Sequence, residues 1–209
     1  MPGRLYTATM GRLVAAFYDR TMRQPQEAGL AAKRAALVGR ARGATLEVGA
    51  GTGLNLEHYP SAVTELILAE PGPHMGARLA RRATGRAEVV RAPAERLPFP
   101  DARFDTVVAT LVLCTVADPA AALAEMARVL RPGGRLLFME HVRAEDPGVA
   151  RRQDRVLPVW RFVADGCHPN RDTLAALEAS SLQVEDVSHE RLPKAPTFVR
   201  PLIVGSATR

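Results

Sequence analysis

Residues 46–53 have the sequence Leu46-Glu47-Val48-Gly49-Ala50-Gly51-Thr52-Gly53, in which three glycines alternate with small residues directly after a β-like run. The residues that follow, 54–58, are compatible with a helix. Glycines in this arrangement permit a tight turn and let a ligand approach the backbone closely. The stretch therefore predicts a strand–turn–helix unit whose turn binds a ligand.

The glycine spacing and the neighbouring acids argue against a phosphate ligand. Dinucleotide-binding loops carry G-x-G-x-x-G, whereas the third glycine here comes one position earlier, and the lysine of a nucleoside-triphosphate loop is absent. Glu47 would repel a pyrophosphate, but its carboxylate can bind an ammonium group such as that of a methionine-derived cofactor. Glu70, at the end of the next β-like run, can accept hydrogen bonds from both hydroxyls of a ribose.

β-like runs alternate with helical patterns through the rest of the chain. The runs are Thr45–Val48, Glu65–Ala69, Glu88–Arg91, Phe104–Thr110, Arg135–Glu140, Gln183–Ser188 and Val199–Gly205, and the helical patterns are Pro73–Arg82, Ala120–Leu130 and Arg171–Ser180. Pro132-Gly133-Gly134 is expected to end the second helix. We therefore predict an α/β fold, a Rossmann-like three-layer sandwich whose mostly parallel, seven-stranded sheet has an antiparallel C-terminal strand and closes with an antiparallel hairpin.

Two segments lie outside this alternation. Residues 1–43 are predicted to form an N-terminal helical cap, with apolar positions at Leu13, Phe17, Leu30 and Leu37. Residues 144–170 are too long for an ordinary connection, so we expect a helical lid there. Residues 44–209 then form the ligand-binding domain, with the lid as an insertion.

The composition is that of a globular protein, with 47% hydrophobic and 24% charged residues among 209. The net charge of +6 raises the question of a nucleic-acid partner. However, Lys33 and Lys194 are the only lysines, so 28 − 2 = 26 of the basic residues are arginines, and they are spread evenly. The clusters Arg78/Arg81/Arg82 and Arg151/Arg152/Arg155 have the helical spacing of a solvated face and lack interleaved aromatics, so no nucleic-acid partner is predicted.

The two cysteines, Cys114 and Cys167, do not form a disulfide framework. No His/Cys cluster occurs at metal-ligand spacing, so no metal is predicted. The first residues do not resemble a signal peptide, and no stretch approaches about 20 apolar residues. We expect a cytoplasmic protein without an integral membrane segment, and the sequence leaves its oligomeric state undefined.

Four motifs, in order, resemble those of class I S-adenosylmethionine-dependent methyltransferases over about residues 43–205: Leu46–Gly53, Leu68–Pro71, Ala94–Phe99 and Arg128–Gly134. Four other segments resemble the methyltransferase-like 7 group, whose members methylate alkyl thiols: Thr110–Val116, Phe138–Val142, Asp165–Cys167 and Arg200-Pro201. That group has a hydrophobic N-terminal anchor, and because this chain shows none, we carry over no membrane-bound role.

The resemblance implies a methyltransferase domain at residues 44–209 and S-adenosylmethionine as cofactor. It also implies a small, partly apolar acceptor, for which a thiol is the first choice. The alternative is C- or O-methylation of a quinone, phenol or secondary metabolite, because the Ala94–Asp101 segment is shared with that branch.

The resemblance also assigns cofactor-binding roles along the chain. The residues assigned to the methionine end are Glu47, Gly49, Ala50, Gly51, Thr52, Gly53 and Asn55. Those assigned to the nucleoside are Glu70 for the ribose, Pro71 and Met75 for the adenine ring, and Ala94 and Glu95 for its amino group. Thr110, Leu111 and Val112 would lie along the cofactor beside the transferred methyl group, and Tyr18 with Asp19 would cap the site.

Two residues are candidates for a role beside the acceptor. His141 follows the fifth strand and would face the carboxyl end of the sheet, where ligands bind in open α/β folds. Asp165, in the lid, is the second candidate, although an Asp-Gly turn accounts for it equally well. Cys114 is expected to be a buried apolar residue. Leu157, Trp160 and Phe162 would form either an apolar roof over the substrate or the core-facing stripe of a helix.

Overall fold

Seven strands form one sheet in the order β3-β2-β1-β4-β5-β7-β6 in the computed structural model, which describes residues 8–209, with side chains from residue 15 onward. The strands are β1 Gly43–Val48, β2 Val63–Ala69, β3 Glu88–Val90, β4 Phe104–Thr110, β5 Leu130–His141, β6 Gln183–Arg191 and β7 Pro201–Thr208. β7 is antiparallel to both β5 and β6, and the other six strands run parallel. The predicted α/β fold with an antiparallel C-terminal strand is confirmed.

Six α-helices cover the sheet between residues 8 and 209. They are α1 Ala8–Pro25, α2 Ala31–Val38, α3 Pro73–Ala83, α4 Pro119–Val129, α5 Pro147–Val163 and α6 Thr173–Glu178. A π-helical turn with Gly29 at φ +122° separates α1 from α2. α5 is the helix expected within the lid. None of the helices in the described part of the chain has the length and apolar character needed to cross a membrane.

Helix starts follow from local sequence. The carboxylates of Asp118, Asp146 and Asp172 accept hydrogen bonds from the free N–H groups in the first turns of α4, α5 and α6. Proline occupies the first helical position of α4 and α5, where its missing N–H and fixed φ cost nothing. Caps of this kind each contribute about 1 kcal/mol to helix stability.

Apolar layers fill both sides of the sheet. One layer contains Phe104, Leu123 and Phe138 and lies between the sheet and helices α4 and α6. The second includes Leu30 and Leu37, both almost completely buried. Each such side chain contributes roughly 1.5–3 kcal/mol through burial. Phe17 differs from this pattern, because 53% of its surface is exposed. Residues 1–7 and the Leu13 side chain lie outside the described part of the chain.

Two expected boundaries differ from the structure. The segment after the glycine loop forms turns and a short 3-10 helix, Leu56–His58, instead of an α-helix. Tyr59 is extended (φ −70°, ψ 127°), because the residue before a proline avoids the helical region. Helix α4 ends at Val129, before the Pro132-Gly133-Gly134 turn, and β5 already begins at Leu130. The final hairpin forms as expected, but β7 lies between β5 and β6.

Candidate active site

The carboxyl ends of four neighbouring parallel strands bring polar side chains to one edge of the sheet. Glu47 lies near the end of β1, Glu70 follows β2, Thr110 ends β4 and His141 ends β5. The strand register aligns these positions, with Val48 beside Ala109 and Thr110 beside Met139. This edge is where open α/β sheets bind their ligands.

The glycine loop uses its three glycines in two ways. Gly49, Gly51 and Gly53 all have positive φ, between +58° and +85°, which favours glycine. A Cβ on Gly49 would lie 2.6 Å from Val112 Cγ2, and one on Gly53 would lie 2.8 Å from Leu56 Cδ1. A Cβ on Gly51 would meet no atom within 4 Å. Gly49 and Gly53 therefore serve close packing, whereas Gly51 leaves room for a ligand.

A pocket opens along this loop. The N-terminal helices, β1, the glycine loop and β4 all contribute to its lining, which consists of Tyr18, Arg34, Glu47, Gly49, Ala50, Gly51, Thr52, Leu54 and Thr110. A larger surface depression, lined by residues that include Tyr59, Val63 and Arg86, lies by the amino end of β2. Its lining includes none of the polar residues at the strand ends, so we place the site in the pocket beside the loop.

Behind the pocket lies a buried hydrogen-bond network. Asn55 Nδ2 donates to Glu47 Oε1 (2.9 Å) and is also 3.0 Å from Thr110 Oγ1. Arg34 Nη1 donates to Asn55 Oδ1 (2.9 Å) and to Thr110 Oγ1 (3.0 Å). Tyr59 donates to the second Glu47 oxygen at 2.7 Å. Asn55, predicted to help hold the cofactor, is thus fully buried and orients the groups around it.

The network places opposite charges together in one buried pocket. Arg34 is 3% exposed, and its Nε atom has no hydrogen-bond partner among residues 15–209. Glu47 is 1% exposed, and burial raises its pKa to about 7 although Tyr59 and Asn55 donate to it. Sequence patterns did not identify Arg34, because one helical arginine among 26 carries no distinct signal. A buried acid and a buried cation in one pocket suit a zwitterionic ligand.

Glu70 fastens the glycine loop to the end of β2. Its carboxylate accepts hydrogen bonds from Gly51 N (2.9 Å) and Gly72 N (2.8 Å). Burial raises the pKa of Glu70, the two backbone hydrogen bonds lower it, and the charge of Asp165 raises it. Each carboxylate oxygen can accept a further hydrogen bond, so these contacts leave the carboxylate able to bind a ligand hydroxyl.

The remaining predicted nucleoside contacts differ in exposure. Met75 is buried and packs near Gly72, whereas Pro71 is exposed. Ala94 is buried in the main apolar layer. The Glu95 carboxylate accepts hydrogen bonds from Ala117 N (2.9 Å) and Asp118 N (3.4 Å), which positions the segment before α4.

Helix α1 contacts the glycine loop through Asp19. Its carboxylate accepts a hydrogen bond from Thr52 Oγ1 (2.6 Å) and pairs with Arg82 of α3 (2.6 Å). The neighbouring Tyr18 lines the pocket. Burial raises the pKa of the Tyr18 hydroxyl, and Arg34 lowers it. The two residues predicted to cap the site therefore lie beside the loop.

The segment after β4 turns sharply and is held by Glu140. Leu111 has a left-handed backbone (φ +61°), and Glu140 accepts hydrogen bonds from Val112 N (2.8 Å) and Cys114 N (3.3 Å). Glu140 is fully buried, and that burial raises its pKa to about 7 despite these bonds. Our sequence interpretation missed this residue. The available signal was an acid within an apolar strand, which needs buried partners.

Cys114, His141 and Cys167 form a buried cluster. One potential ligand atom from each lies within 4.8 Å of the others, and His141 Nδ1 is 3.4 Å from Cys167 Sγ. Both cysteines are free thiols, and no side chain or backbone group described in the structure forms a hydrogen bond with His141 Nε2. A hydrogen bond between the thiols lowers the pKa of Cys167 and, with burial, raises that of Cys114. Sequence spacing gave no sign of this cluster, because its members come from three separate segments.

The acidic and the aromatic residues of the lid segment, residues 144–170, differ in exposure. Asp165 is exposed, with φ +51°, and forms a turn with Gly166 after α5. Trp160 packs edge-on against Phe198, with ring centroids 5.1 Å apart, and so lies on the core-facing side. Phe162 is 52% exposed. Of the two candidates for an acceptor-side role, His141 is thus buried at the strand ends and Asp165 faces solvent.

Comparisons with known proteins agree with this geometry. A family model described as a methyltransferase domain matches residues 46–138. The thiol S-methyltransferase TMT1A of Homo sapiens is 36% identical over 171 residues, which cover 78% of this chain and 70% of that protein. The chain belongs to the class I S-adenosylmethionine-dependent methyltransferases, in the methyltransferase-like 7 group. The predicted enzyme class and cofactor are confirmed.

Two further matches are more distant. The ubiquinone/menaquinone biosynthesis C-methyltransferase UbiE of Marinomonas sp. is 31% identical over 177 residues, covering 73% of this chain and 68% of that protein. A solved SAM-dependent methyltransferase of Thermotoga maritima, a possible histamine N-methyltransferase, has a TM-score of 0.72 at 21% identity. That match covers 97% of this chain and 99% of the other, and supports the fold alone.

The pocket fits S-adenosylmethionine. The cofactor's amino acid end carries an ammonium and a carboxylate, and the pocket offers buried Glu47 together with Arg34, whose Nε atom forms no hydrogen bond with any described residue. The space beside Gly51 admits a ligand against the backbone. When bound, the cofactor supplies a methyl group activated by a sulfonium, which leaves the protein to position the acceptor and exclude water.

Proposed function

We propose that this methyltransferase transfers the methyl group to the sulfur of a small, partly apolar thiol. The observation that carries the proposal is the 36% identity with the thiol S-methyltransferase TMT1A over 78% of the chain. The cluster of Cys114, His141 and Cys167 draws one residue from each of three segments that carry the narrower resemblance. These segments are Thr110–Val116, Phe138–Val142 and Asp165–Cys167. This convergence beside the cofactor pocket supports an acceptor site there.

In this proposal the pocket residues bind different groups at the methionine end of the cofactor. Glu47 binds the ammonium, Arg34 binds the carboxylate, and Asn55 orients both. The backbone from Gly49 to Gly53, including Ala50, Gly51 and Thr52, lies along the amino acid chain. Charge-assisted hydrogen bonds of this kind are about twice as strong as neutral ones, so this end fixes the position of the sulfonium.

The nucleoside lies along the next strand end. Glu70 binds the ribose hydroxyls, and the adenine ring lies among Pro71, Met75, Ala94 and Glu95. Thr110, Leu111 and Val112 flank the reacting carbon, and Tyr18 covers the pocket from α1. These assignments agree with the burial of Glu70 and Met75 and with the position of Tyr18 in the pocket lining. Residues 1–43 act as a cap on the domain formed by residues 44–209.

The acceptor sulfur is placed beside His141. Thiolates are the reactive form of thiols, and a free thiol with a pKa near 8.5 needs only modest help to ionise at neutral pH. His141 is 6% exposed, and its Nε2 has no partner in the part of the chain that the structure describes, so it offers a polar contact in a site from which water is largely excluded. Asp165 lies on an exposed turn and is the second candidate for a role beside the acceptor.

We also propose a cytoplasmic enzyme without a nucleic-acid partner. Two free cysteines suit a reducing compartment. Asp19 lies within ion-pair distance of two arginines of the first basic cluster, Arg78 (3.8 Å) and Arg82 (2.6 Å), which reduces the charge available to a phosphate backbone. A gel-shift titration at low salt tests this, because electrostatic binding is strongest there. A shifted band would contradict the proposal.

The acceptor is tested with purified protein, methyl-labelled S-adenosylmethionine and a panel of alkyl thiols, phenols, amines and quinones. We expect turnover with alkyl thiols and thioether products in mass spectra. Activity confined to phenols or quinones would contradict S-methylation and favour the alternative C- or O-methylation, which the 31% identity with UbiE supports. Matched alcohols of the same chain length serve as controls for the sulfur.

A further inference from the structure

The cluster of Cys114, His141 and Cys167 has the composition and dimensions of a metal site. All three residues are buried, with 1%, 6% and 5% exposure respectively. Thiolate sulfur and imidazole nitrogen are preferred zinc ligands. Tetrahedral bond lengths of about 2.3 Å to sulfur and about 2.0 Å to nitrogen place these two atoms roughly 3.5 Å apart. The separation between Cys167 Sγ and His141 Nδ1 is 3.4 Å.

The second nitrogen of the imidazole is also notable. Among the described residues, none forms a hydrogen bond with the buried His141 Nε2, although buried polar atoms are almost always satisfied. Glu140, next to His141 in the chain, is not among the groups whose potential ligand atoms lie within 4.8 Å of one another, and its oxygens accept hydrogen bonds from Val112 N and Cys114 N instead. The cluster therefore supplies three protein ligands. Structural zinc sites have four, whereas catalytic ones leave the fourth position to an external ligand.

The cluster is also close to the cofactor pocket. Val112 packs directly against Gly49 of the glycine loop, and Cys114 follows two residues later. On the other side, His168 N donates to Cys114 O at 2.8 Å, which joins the end of the lid to the same segment. The cluster therefore lies between the end of the lid and the segment that packs against the glycine loop.

We propose that Cys114, His141 and Cys167 bind a zinc-class divalent ion whose fourth position takes the acceptor thiol as a thiolate. The inference rests on the proposed thiol acceptor. The thiol releases its proton to solvent as its sulfur replaces a bound water. That sulfur then forms a bond to the methyl carbon while the bond from this carbon to the sulfonium breaks, leaving the electron pair on the cofactor sulfur. The products are a thioether and S-adenosylhomocysteine, and His141 acts as a ligand.

The first experiment measures metal binding directly. Full-length protein, kept reduced with a phosphine, is titrated with Co²⁺ as a spectroscopic probe, and its zinc content is measured after purification. We expect one equivalent of metal and a thiolate-to-cobalt charge-transfer band. The band should be weakened or abolished by each of three substitutions, Cys114→Ser, Cys167→Ser and His141→Asn. His189→Asn, which changes an exposed histidine on β6, should leave it unchanged. Cofactor binding by calorimetry verifies that each variant is folded.

The second experiment adds an alkyl thiol and a matched alkyl alcohol to the Co²⁺ protein. A shift of the band with the thiol alone is expected. The absence of stoichiometric metal, or a band that survives in all three cluster variants, overturns the site. A band that no thiol shifts overturns the role of the fourth position. If metal-free protein methylates thiols at the full rate, the inference fails and the proposed function stands. If metal binds but only non-thiols are methylated, the proposed function fails instead.

Discussion

The Arg34 guanidinium donates a hydrogen bond to the Thr110 hydroxyl, with Nη1 and Oγ1 3.0 Å apart. This contact joins the N-terminal helices to the end of β4, the strand whose carboxyl end borders the pocket. A buried cation is costly unless it is paired, and Arg34 keeps one nitrogen that no residue in the described part of the chain pairs with. The arrangement is therefore suited to a ligand that brings its own negative charge.

Replacing Arg34 with methionine should weaken cofactor binding. The loss of a charge-assisted hydrogen bond to the cofactor carboxylate costs about 1.5–3 kcal/mol, or roughly 10- to 150-fold in Kd. Arg34→Lys should recover part of this, because lysine keeps the charge but not the planar fork. Calorimetry with S-adenosylhomocysteine measures the Kd of both variants. Lys33→Met removes a positive charge from the adjacent position, where Lys33 pairs with Glu190. This control variant should bind the cofactor as tightly as the wild type. Equal affinity of Arg34→Met and wild type would falsify the assignment.

Glu70→Ala should weaken cofactor binding by about 1–3 kcal/mol, roughly 5- to 150-fold in Kd, because the ribose hydroxyls lose a charged acceptor. Glu70→Gln retains one carbonyl oxygen and should lose less. Because Glu70 also accepts from Gly51 N and Gly72 N, the free energy of unfolding must be measured alongside. Glu65→Ala, an exposed position on the same strand, is the control. An unchanged Kd for Glu70→Ala contradicts ribose binding.

Much of the fold was predictable because local sequence and burial agree. The predicted bounds of β4, Phe104–Thr110, match the structure, since a nearly continuous apolar run suits a strand that is buried on both faces. The glycine loop was equally predictable from the sequence, because its backbone conformations require glycine. Residues 54–58 form turns and a short 3-10 helix instead of the expected helix, and Pro60, which keeps Tyr59 extended, prevents this segment from continuing as a helix.

The acceptor side was far less predictable. Cys114, His141 and Cys167 are brought together only by the packing of the lid against the strand ends, and no local spacing encodes that contact. Arg34 illustrates the same limit, since its burial follows from the packing of α2 on the sheet. Glu140 is different: an acid directly after the apolar run 136–139 indicated a buried hydrogen-bonding role.

Gly51 provides a way to separate backbone strain from ligand access. Gly51→Ala and Gly85→Ala both place a Cβ at positive φ, +58° and +71°, and neither Cβ meets an atom within 4 Å. Both should therefore lower the free energy of unfolding by roughly 1 kcal/mol. Only Gly51 lines the cofactor pocket, so only Gly51→Ala should also weaken binding of S-adenosylhomocysteine, measured by calorimetry. Equal cofactor affinity in the two variants would show that the space beside Gly51 is not used.

The buried carboxyl of Glu140 predicts a specific dependence of stability on pH. Burial raises its pKa from 4.5 to about 7, so the folded protein holds a proton that the unfolded chain releases between these values. The free energy of unfolding should therefore fall as pH rises from about 4.5 to about 7 and then level off. The difference corresponds to roughly 3 kcal/mol for this group. Glu140→Gln is neutral throughout and should give a flatter curve in urea denaturation between about pH 5 and about pH 8.

The quantity to compare is the difference in free energy of unfolding between wild type and Glu140→Gln at each pH, because the titration of all other groups cancels in this difference. An amide nitrogen cannot accept a hydrogen bond, so Glu140→Gln loses one of the two acceptors used by Val112 N and Cys114 N and is less stable at low pH. As pH rises from about 4.5 to about 7, that deficit should shrink by a few kcal/mol, since only the wild type must then bury a charge. Glu57→Gln, on an exposed side chain, should show a nearly constant difference. A constant difference for Glu140→Gln as well would mean that the carboxyl is ionised across the whole range and that the hydrogen bonds from the segment after β4 outweigh its burial.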